Sequence, residues 1–189
     1  MVEKITGYHG TAKDNVQDIK KYNFKIKEDK NHWLGNGVYF FIESYIQPSV
    51  VLAKKWAKAE SWNNYRKEYT YDIYSVLKSD IILYKGSILN LRNSSGLEIF
   101  NKYREKLKNK LTINELKTKI DDFKIIEHIK DKFNVKIVIA DVYIKFEKER
   151  IAKLHSNIPN CAIMSVSEAS LIDKQSIEEV DRGRVKNET

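Results

Sequence analysis

The apolar positions change period several times along the chain, and each change marks an element. Ile5 to His9 is a short β-like run. Ala12, Val16 and Ile19 then recur at helical spacing as far as about Lys21, with Thr11 placed to cap the helix and Asp14 three residues on as a weak capping box. Asn23-Phe24 ends that helix, Phe24 to Asp29 reads as extended, Asn31 to Asn36 as a loop and Gly37 to Ile42 as a strand. Pro48 suits the first position of a helix, where its missing N–H costs nothing. That helix runs to about Trp62, with Ala53, Trp56, Ala57 and Glu60 at helical spacing.

Tyr69 to Leu77 alternates as a strand does, and Asp80 to Leu89 predicts a second strand broken near Gly86. Asn90 to Gly96 reads as a turn. Leu97, Phe100, Tyr103 and Leu107 predict a helix to about Lys110, and Ile113, Leu116, Ile120 and Phe123 face inward on another from Ile113 to Lys132. Val135 to Phe146 is the longest β-like run, and Asn160 to Val166 the last strand expected. From Glu168 the chain turns polar, and about 181–189 is expected to fray. Short strands interrupted by helices predict an α+β fold with a split antiparallel sheet and peripheral helices, in a single domain over 1–189.

Composition narrows the class. The chain has 189 residues, 42% apolar and 32% charged, and its mean hydropathy is −0.53. That length can bury a sizeable core. No apolar run reaches the roughly 20 residues of a membrane span, and MVEKITGYHG carries no apolar leader segment. The single cysteine, Cys161, excludes an internal disulfide and fits a reducing, cytoplasmic setting. The net charge of +8 and pI near 9.3 favour a polyanionic partner. Residues 101–136 hold eleven Lys and Arg against six Asp and Glu. They form either a solvated outer face or a wall for phosphates.

Few residues are candidates for chemistry. His9, His32, His128 and His155 show no metal-ligand spacing, and no CxxC, GxSxG, P-loop or GxGxxG is present. No metal is expected. Cys161 reads as a small buried strand residue. Two runs stand out, Tyr8-His9-Gly10-Thr11 and His32-Trp33-Leu34-Gly35-Asn36-Gly37-Val38-Tyr39-Phe40-Phe41. In each, a strand meets glycine beside a functional side chain, as where a backbone is approached closely. Together they read as neighbouring strands lining one cleft. A His-Gly-Thr turn offers bare backbone to a planar amide, an aromatic can stack on a flat ring, and an imidazole can bind sugar hydroxyls.

These two runs, with Ala53-x-x-Trp56-Ala57, resemble the ADP-ribosyltransferases of the diphtheria-toxin and poly(ADP-ribose)-polymerase type. Those enzymes carry an H-Y-E signature, and the likeness is greatest to small bacterial toxins of toxin–antitoxin and phage-defence loci. The arginine-type branch resembles the chain less, because His9 stands where it has arginine and no Glu-x-Glu loop is found. The resemblance implies the split antiparallel sheet of that family and NAD as co-substrate. His9 would bind a ribose hydroxyl, Gly10 would hold the nicotinamide amide through its backbone with Thr11 in the same turn, and Tyr39 would stack on the nicotinamide ring. The third signature position, usually glutamate, falls on the strand Asn160-Cys161-Ala162-Ile163-Met164, at or next to Asn160. Glu168, Glu178 and Glu179 are the nearest carboxylates.

Without that glutamate, transfer of a single ADP-ribose is expected rather than polymerisation. The acceptor implied is nucleic acid, RNA before DNA, with a protein acceptor as the alternative and a cognate antitoxin as a further partner. An inactive NAD-binding module and an RNA 2′-phosphotransferase are the other readings. The arginines show no pattern for a 2′-phosphate.

Overall fold

The computed structural model describes residues 3–26, 28, 32–110 and 121–186. It is mixed α/β, with one large, mostly antiparallel sheet and helices on both of its faces. The strands of that sheet are β1 (Glu3–Ala12), β2 (Val38–Ile42), β5 (Ile73–Leu83), β6 (Ile88–Asn90), β7 (Ile137–Val142), β8 (Cys161–Val166) and β9 (Glu178–Arg184). A two-stranded hairpin pairs β3 (Trp62–Asn63) with β4 (Glu68–Tyr69). The sheet order is β6-β7-β8-β2-β1-β5-β9.

The ladders are uneven. β1 pairs with β5 along its whole length, Glu3 opposite Leu83 to Ala12 opposite Tyr74. β2 pairs with β8 along its own, Val38 opposite Val166 to Ile42 opposite Ala162. Between β1 and β2 one pair alone is made, Tyr8 opposite Phe41. The sheet is thus two half-sheets, β6-β7-β8-β2 and β1-β5-β9, joined at a single point.

The two faces bury separate cores. One contains Phe41, Val76, Val138 and Ile163 beneath α2 (Ser49–Glu60), α3 (Ser94–Lys110) and α4 (Asp122–Phe133). The other contains Phe40, Leu77, Ile139 and Met164, with Val16 of α1 (Val16–Tyr22), Phe24 and Leu171 packed on them. Covered on both sides, β8 buries all six residues, which explains its unbroken apolar run. Pro48 is the N-cap of α2, one place before the expected position. Small residues let α2 lie close on β1: a Cβ added to Gly10 would overlap the carbonyl of Ala53 and crowd Ala57. Asp121 caps α4 by accepting from the Lys124 N–H, and Asn134 ends it in the left-handed region at φ 53°. A last short helix, α5 (Glu147–Ile151), follows β7.

Several expectations need correction. The two strands expected over 69–89 are mainly one, β5. Ser79 and Asp80 do not break it because the distant 173–176 turn supplies polar partners. Ser176 Oγ accepts from the Asp80 N–H at 2.8 Å, and the Asp173 N–H donates to the Asp80 carbonyl at 2.9 Å. The helix expected from Thr11 starts later, since β1 runs through Ala12 and a 3-10 turn over Lys13–Asn15 intervenes. Leu97, expected inward, is exposed on α3, while Phe100 and Tyr103 are buried. The polar end expected to fray over 181–186 instead forms edge strand β9 and continues to buried Val185. Residues 187–189 and the inward positions Ile113, Leu116 and Ile120 lie outside the described residues.

Candidate functional site

Beyond the Tyr8–Phe41 pair, β1 and β2 leave a gap in the sheet, and His9 spans it. The His9 Nδ1–H donates to the main-chain carbonyl of Tyr39 at 2.8 Å. A carbonyl can only accept, which places the hydrogen on Nδ1. The imidazole is also wedged against Phe24 and Phe40, at centroid distances of 5.1 and 5.8 Å. Alternation along the strands turns Tyr8 and Tyr39 toward the α2 side, and His9 and Phe40 toward the α1 side.

A cavity of about 500 Å³ opens around this gap, within the range of small-molecule sites. His9, Gly10, Thr11 and Tyr39 all line it. The two sequence runs, thirty residues apart, therefore meet at one site. Thr11 does not cap a helix. Its hydroxyl accepts from Asn15 Nδ2 at 2.9 Å, steadying the turn that leaves β1.

Tyr39 anchors the glycine loop preceding its own strand. Its hydroxyl accepts from the Leu34 N–H at 2.6 Å and donates to the Gly35 carbonyl at 2.9 Å. Burial pushes its pKa well above the usual tyrosine value, against the smaller opposite effect of the Leu34 N–H. The same loop is gripped from α4. Glu127 accepts from the Asn36 N–H at 2.9 Å, and Lys130 Nζ, buried, donates to the Asn36 carbonyl at 2.8 Å and to Glu127 at 2.5 Å. Gly35 sits at φ +75°, where a side chain would be strained and would strike Glu127. Part of the basic 101–136 segment is therefore internal support for the loop, as Lys130 is. Lys106 and Lys132 lie over the Tyr103 ring.

The third signature position is not brought to this place. Asn160 is not among the residues lining the cavity. Its amide is spent on the backbone of Ile144, accepting from the N–H and donating to the carbonyl, both at 2.9 Å. Asn160 thereby holds the backbone of Ile144, which does line the cavity. Glu168 pairs with Lys136 at 3.6 Å, Glu178 with Lys78 at 4.0 Å, and Glu179 with Arg182 and Ser75. None of the three lines the cavity. Cys161 is buried, and its thiol is pushed up to about 12 by burial and by the Asp141 charge.

The carboxylates that do line it are Asp18 and Glu60. Glu60 ends α2, one helical turn after Trp56, which also lines the cavity. Arg150 of α5 donates to Glu60 Oε1 at 2.8 Å, to the Ala59 carbonyl at 3.0 Å and to the Lys145 carbonyl at 2.8 Å. It also lies over the Trp56 ring at 5.5 Å. Trp33 meets Trp56 edge-on at 6.0 Å. The Tyr71 hydroxyl donates to the Ala57 carbonyl, and burial, with the Glu60 charge second, pushes it up to about 12. The i, i+4 spacing of Trp56 and Glu60 was visible in the sequence, but nothing there set it apart from an ordinary helix face. Among the described residues, no three His, Cys, Asp or Glu are grouped to hold a metal ion, and no helix is long and apolar enough to cross a membrane.

No protein-family model matches the chain, and no curated protein matches it.

Proposed function

We propose that this protein is a mono-ADP-ribosyltransferase that consumes NAD, and that its sheet is the split sheet of that family. The observation carrying the reading is the meeting of His9-Gly10-Thr11 with Tyr39 around one cavity at the gap between the half-sheets. The residues fit the substrate. Gly10, its Cα face closed by α2, lines the cavity with main chain for a carboxamide, the His9 ring is held in one tautomer for a ribose hydroxyl, and Tyr39 offers an aromatic face. The bond that breaks joins ribose C1′ to nicotinamide, whose ring leaves as a neutral molecule with the electron pair. The site's contribution is therefore positioning and electrostatic stabilisation of the ribosyl centre. The acceptor is nucleic acid, RNA before DNA, in keeping with the net charge of +8. Such an activity suits a toxin of a toxin–antitoxin or phage-defence system.

The test is incubation of the full chain with adenylate-labelled NAD and a mixture of RNA, DNA and protein. Free nicotinamide and labelled nucleic acid are expected, both lost in Tyr39→Ala. Intact NAD after prolonged incubation with every acceptor would leave a binding module as the better reading. Label on protein alone would move the acceptor to protein.

A further inference from the structure

The cavity has a rim beyond the His9, Gly10, Thr11 and Tyr39 positions that the NAD reading uses. The chain leaves the cavity lining at Glu60, makes the β3–β4 hairpin, and returns to the lining at Tyr71. The hairpin is closed at its foot where the Thr70 N–H and hydroxyl both donate to the Ser61 carbonyl, at 2.7 and 3.1 Å. Tyr69 is half-buried against the core on the α2 side, while Trp62 and Tyr65 face solvent. Trp62 stands edge-on to Tyr69 at 5.0 Å and is 38% exposed, and Tyr65 at the tip is 95% exposed. Asn63 Oδ1 accepts from the N–H groups of Tyr65 and Arg66, which rigidifies the tip. Trp33, beside the cavity, is 43% exposed. The exposed surface of Trp62 and Tyr65 costs solubility and is not core packing.

The charges around these rings are mixed, Arg66 pairing with Glu68 at 3.6 Å and Arg150 with Glu60 at 2.8 Å, with Lys67 and Lys186 as further cations. Arg66 and Lys67 follow Tyr65 in the tip, Lys186 lies over Tyr69 at 5.0 Å, and Arg150 covers Trp56. Exposed rings interleaved with cations are the means by which single strands are held: bases stack and phosphates pair. A duplex hides its base faces and cannot use such rings. Glu60 sits between this platform and the cavity, its carboxylate oriented by Arg150.

We infer that the acceptor is an unpaired base of single-stranded nucleic acid, stacked on the rim formed by Trp33, Trp56 and the Trp62–Tyr69 hairpin, with Glu60 receiving its proton. This rests on the NAD reading above. In the transfer, the lone pair of an exocyclic amino nitrogen forms the bond to ribose C1′. The C1′–nicotinamide bond breaks with its electrons on nicotinamide, and the N–H proton passes to the Glu60 carboxylate and then to water. Glu60 would thus do from α2 what no carboxylate does from β8.

The experiment uses the full chain, adenylate-labelled NAD, and fluorescent single-stranded RNA and DNA of one mixed sequence together with their duplexes. Three quantities are read: strand binding without NAD, nicotinamide release, and label on the strand. Single strands are expected to bind more tightly than duplexes, more weakly as salt rises. Trp62→Ala and Tyr65→Ala should each weaken that binding about tenfold, the effect of losing one base–aromatic stack. Tyr84→Ala, which removes an exposed ring remote from the rim, should bind as the parent does. Glu60→Gln should bind strands as the parent does yet lower label transfer by about a hundredfold, the loss expected of a general base. Duplex preference, or hairpin variants that bind as the parent, overturns the inference while nicotinamide release leaves the NAD reading standing. Hairpin-dependent binding with no nicotinamide release overturns the NAD reading and with it the role of Glu60.

Discussion

The Nδ1 of His9 lies 2.8 Å from the carbonyl oxygen of Tyr39, a contact made across the gap where two half-sheets meet. It joins the two strands just where their ladder has stopped. His9→Ala removes this bond and the ring packed on Phe24 and Phe40. On the proposed reading, NAD affinity should fall about tenfold, the equivalent of one hydrogen bond of about 1.4 kcal/mol. Titration calorimetry with NAD checks this, and unchanged affinity would remove His9 from the ligand site.

Tyr39→Phe keeps the ring and deletes one oxygen. The Leu34 N–H then loses its partner, and the Gly35 carbonyl keeps only the longer bond from the Ser165 hydroxyl at 3.5 Å. Stability should fall by about 1–3 kcal/mol, the range for stranding buried polar groups, as read by urea denaturation.

Lys130→Met tests the support from α4. It leaves Glu127 and the Asn36 carbonyl without their cation. The expected cost is about 2–3 kcal/mol, moderated because Glu127 keeps some access to water. Glu127→Gln added to Lys130→Met should recover part of that loss, since no unpaired charge then remains. Denaturation of the single and double variants reads the difference.

Alkaline pH should destabilise the fold. Tyr71 is shifted from its ordinary 10.0 to about 12, so the folded state holds a proton that the unfolded chain has released. Its stabilising effect is complete below pH 10, and is lost as pH rises through about 12. Melting temperature should drop across that window, and Tyr71→Phe should flatten the drop. An equally steep drop in the variant would assign it to other groups.

Asn160→Ala separates two readings of one residue. Two hydrogen bonds to Ile144 are lost, and stability should fall by about 1–2 kcal/mol. Nicotinamide release per folded molecule should be retained, because the amide does not line the cavity. Loss of release in a variant of parental stability would restore Asn160 to the ligand site.

The parts of the fold legible in the sequence were those with a local signature. The strand beginning after Gly37, the α2 helix and the unbroken β8 run announce themselves through period and through flanking Gly and Pro. What was not legible depends on distant partners. Ser79 and Asp80 look like a strand break until Ser176 satisfies them. The sequence Glu178–Arg184 looks like a solvated tail because an edge strand needs little apolar surface. That His9, Gly10 and Tyr39 meet around one cavity was legible because glycine marks close approach. That Glu60 also lines it was not, because a carboxylate on a helix reads as surface until the helix is placed. The strand after Asn160 was legible, but the two bonds of its side chain to the Ile144 backbone depend on a partner sixteen residues away.

The ladder of β2 has a consequence for the ribosome. Apart from the Tyr8–Phe41 pair, β2 has no strand to lie against until Cys161–Val166 has been synthesised. β1 likewise waits for β5, and β5 for β9. Closing such long loops is entropically costly and slow. A nascent chain carrying both the His9 and Tyr39 runs therefore has no finished cavity until Cys161–Val166, whose Ile163 lines it, has also been made.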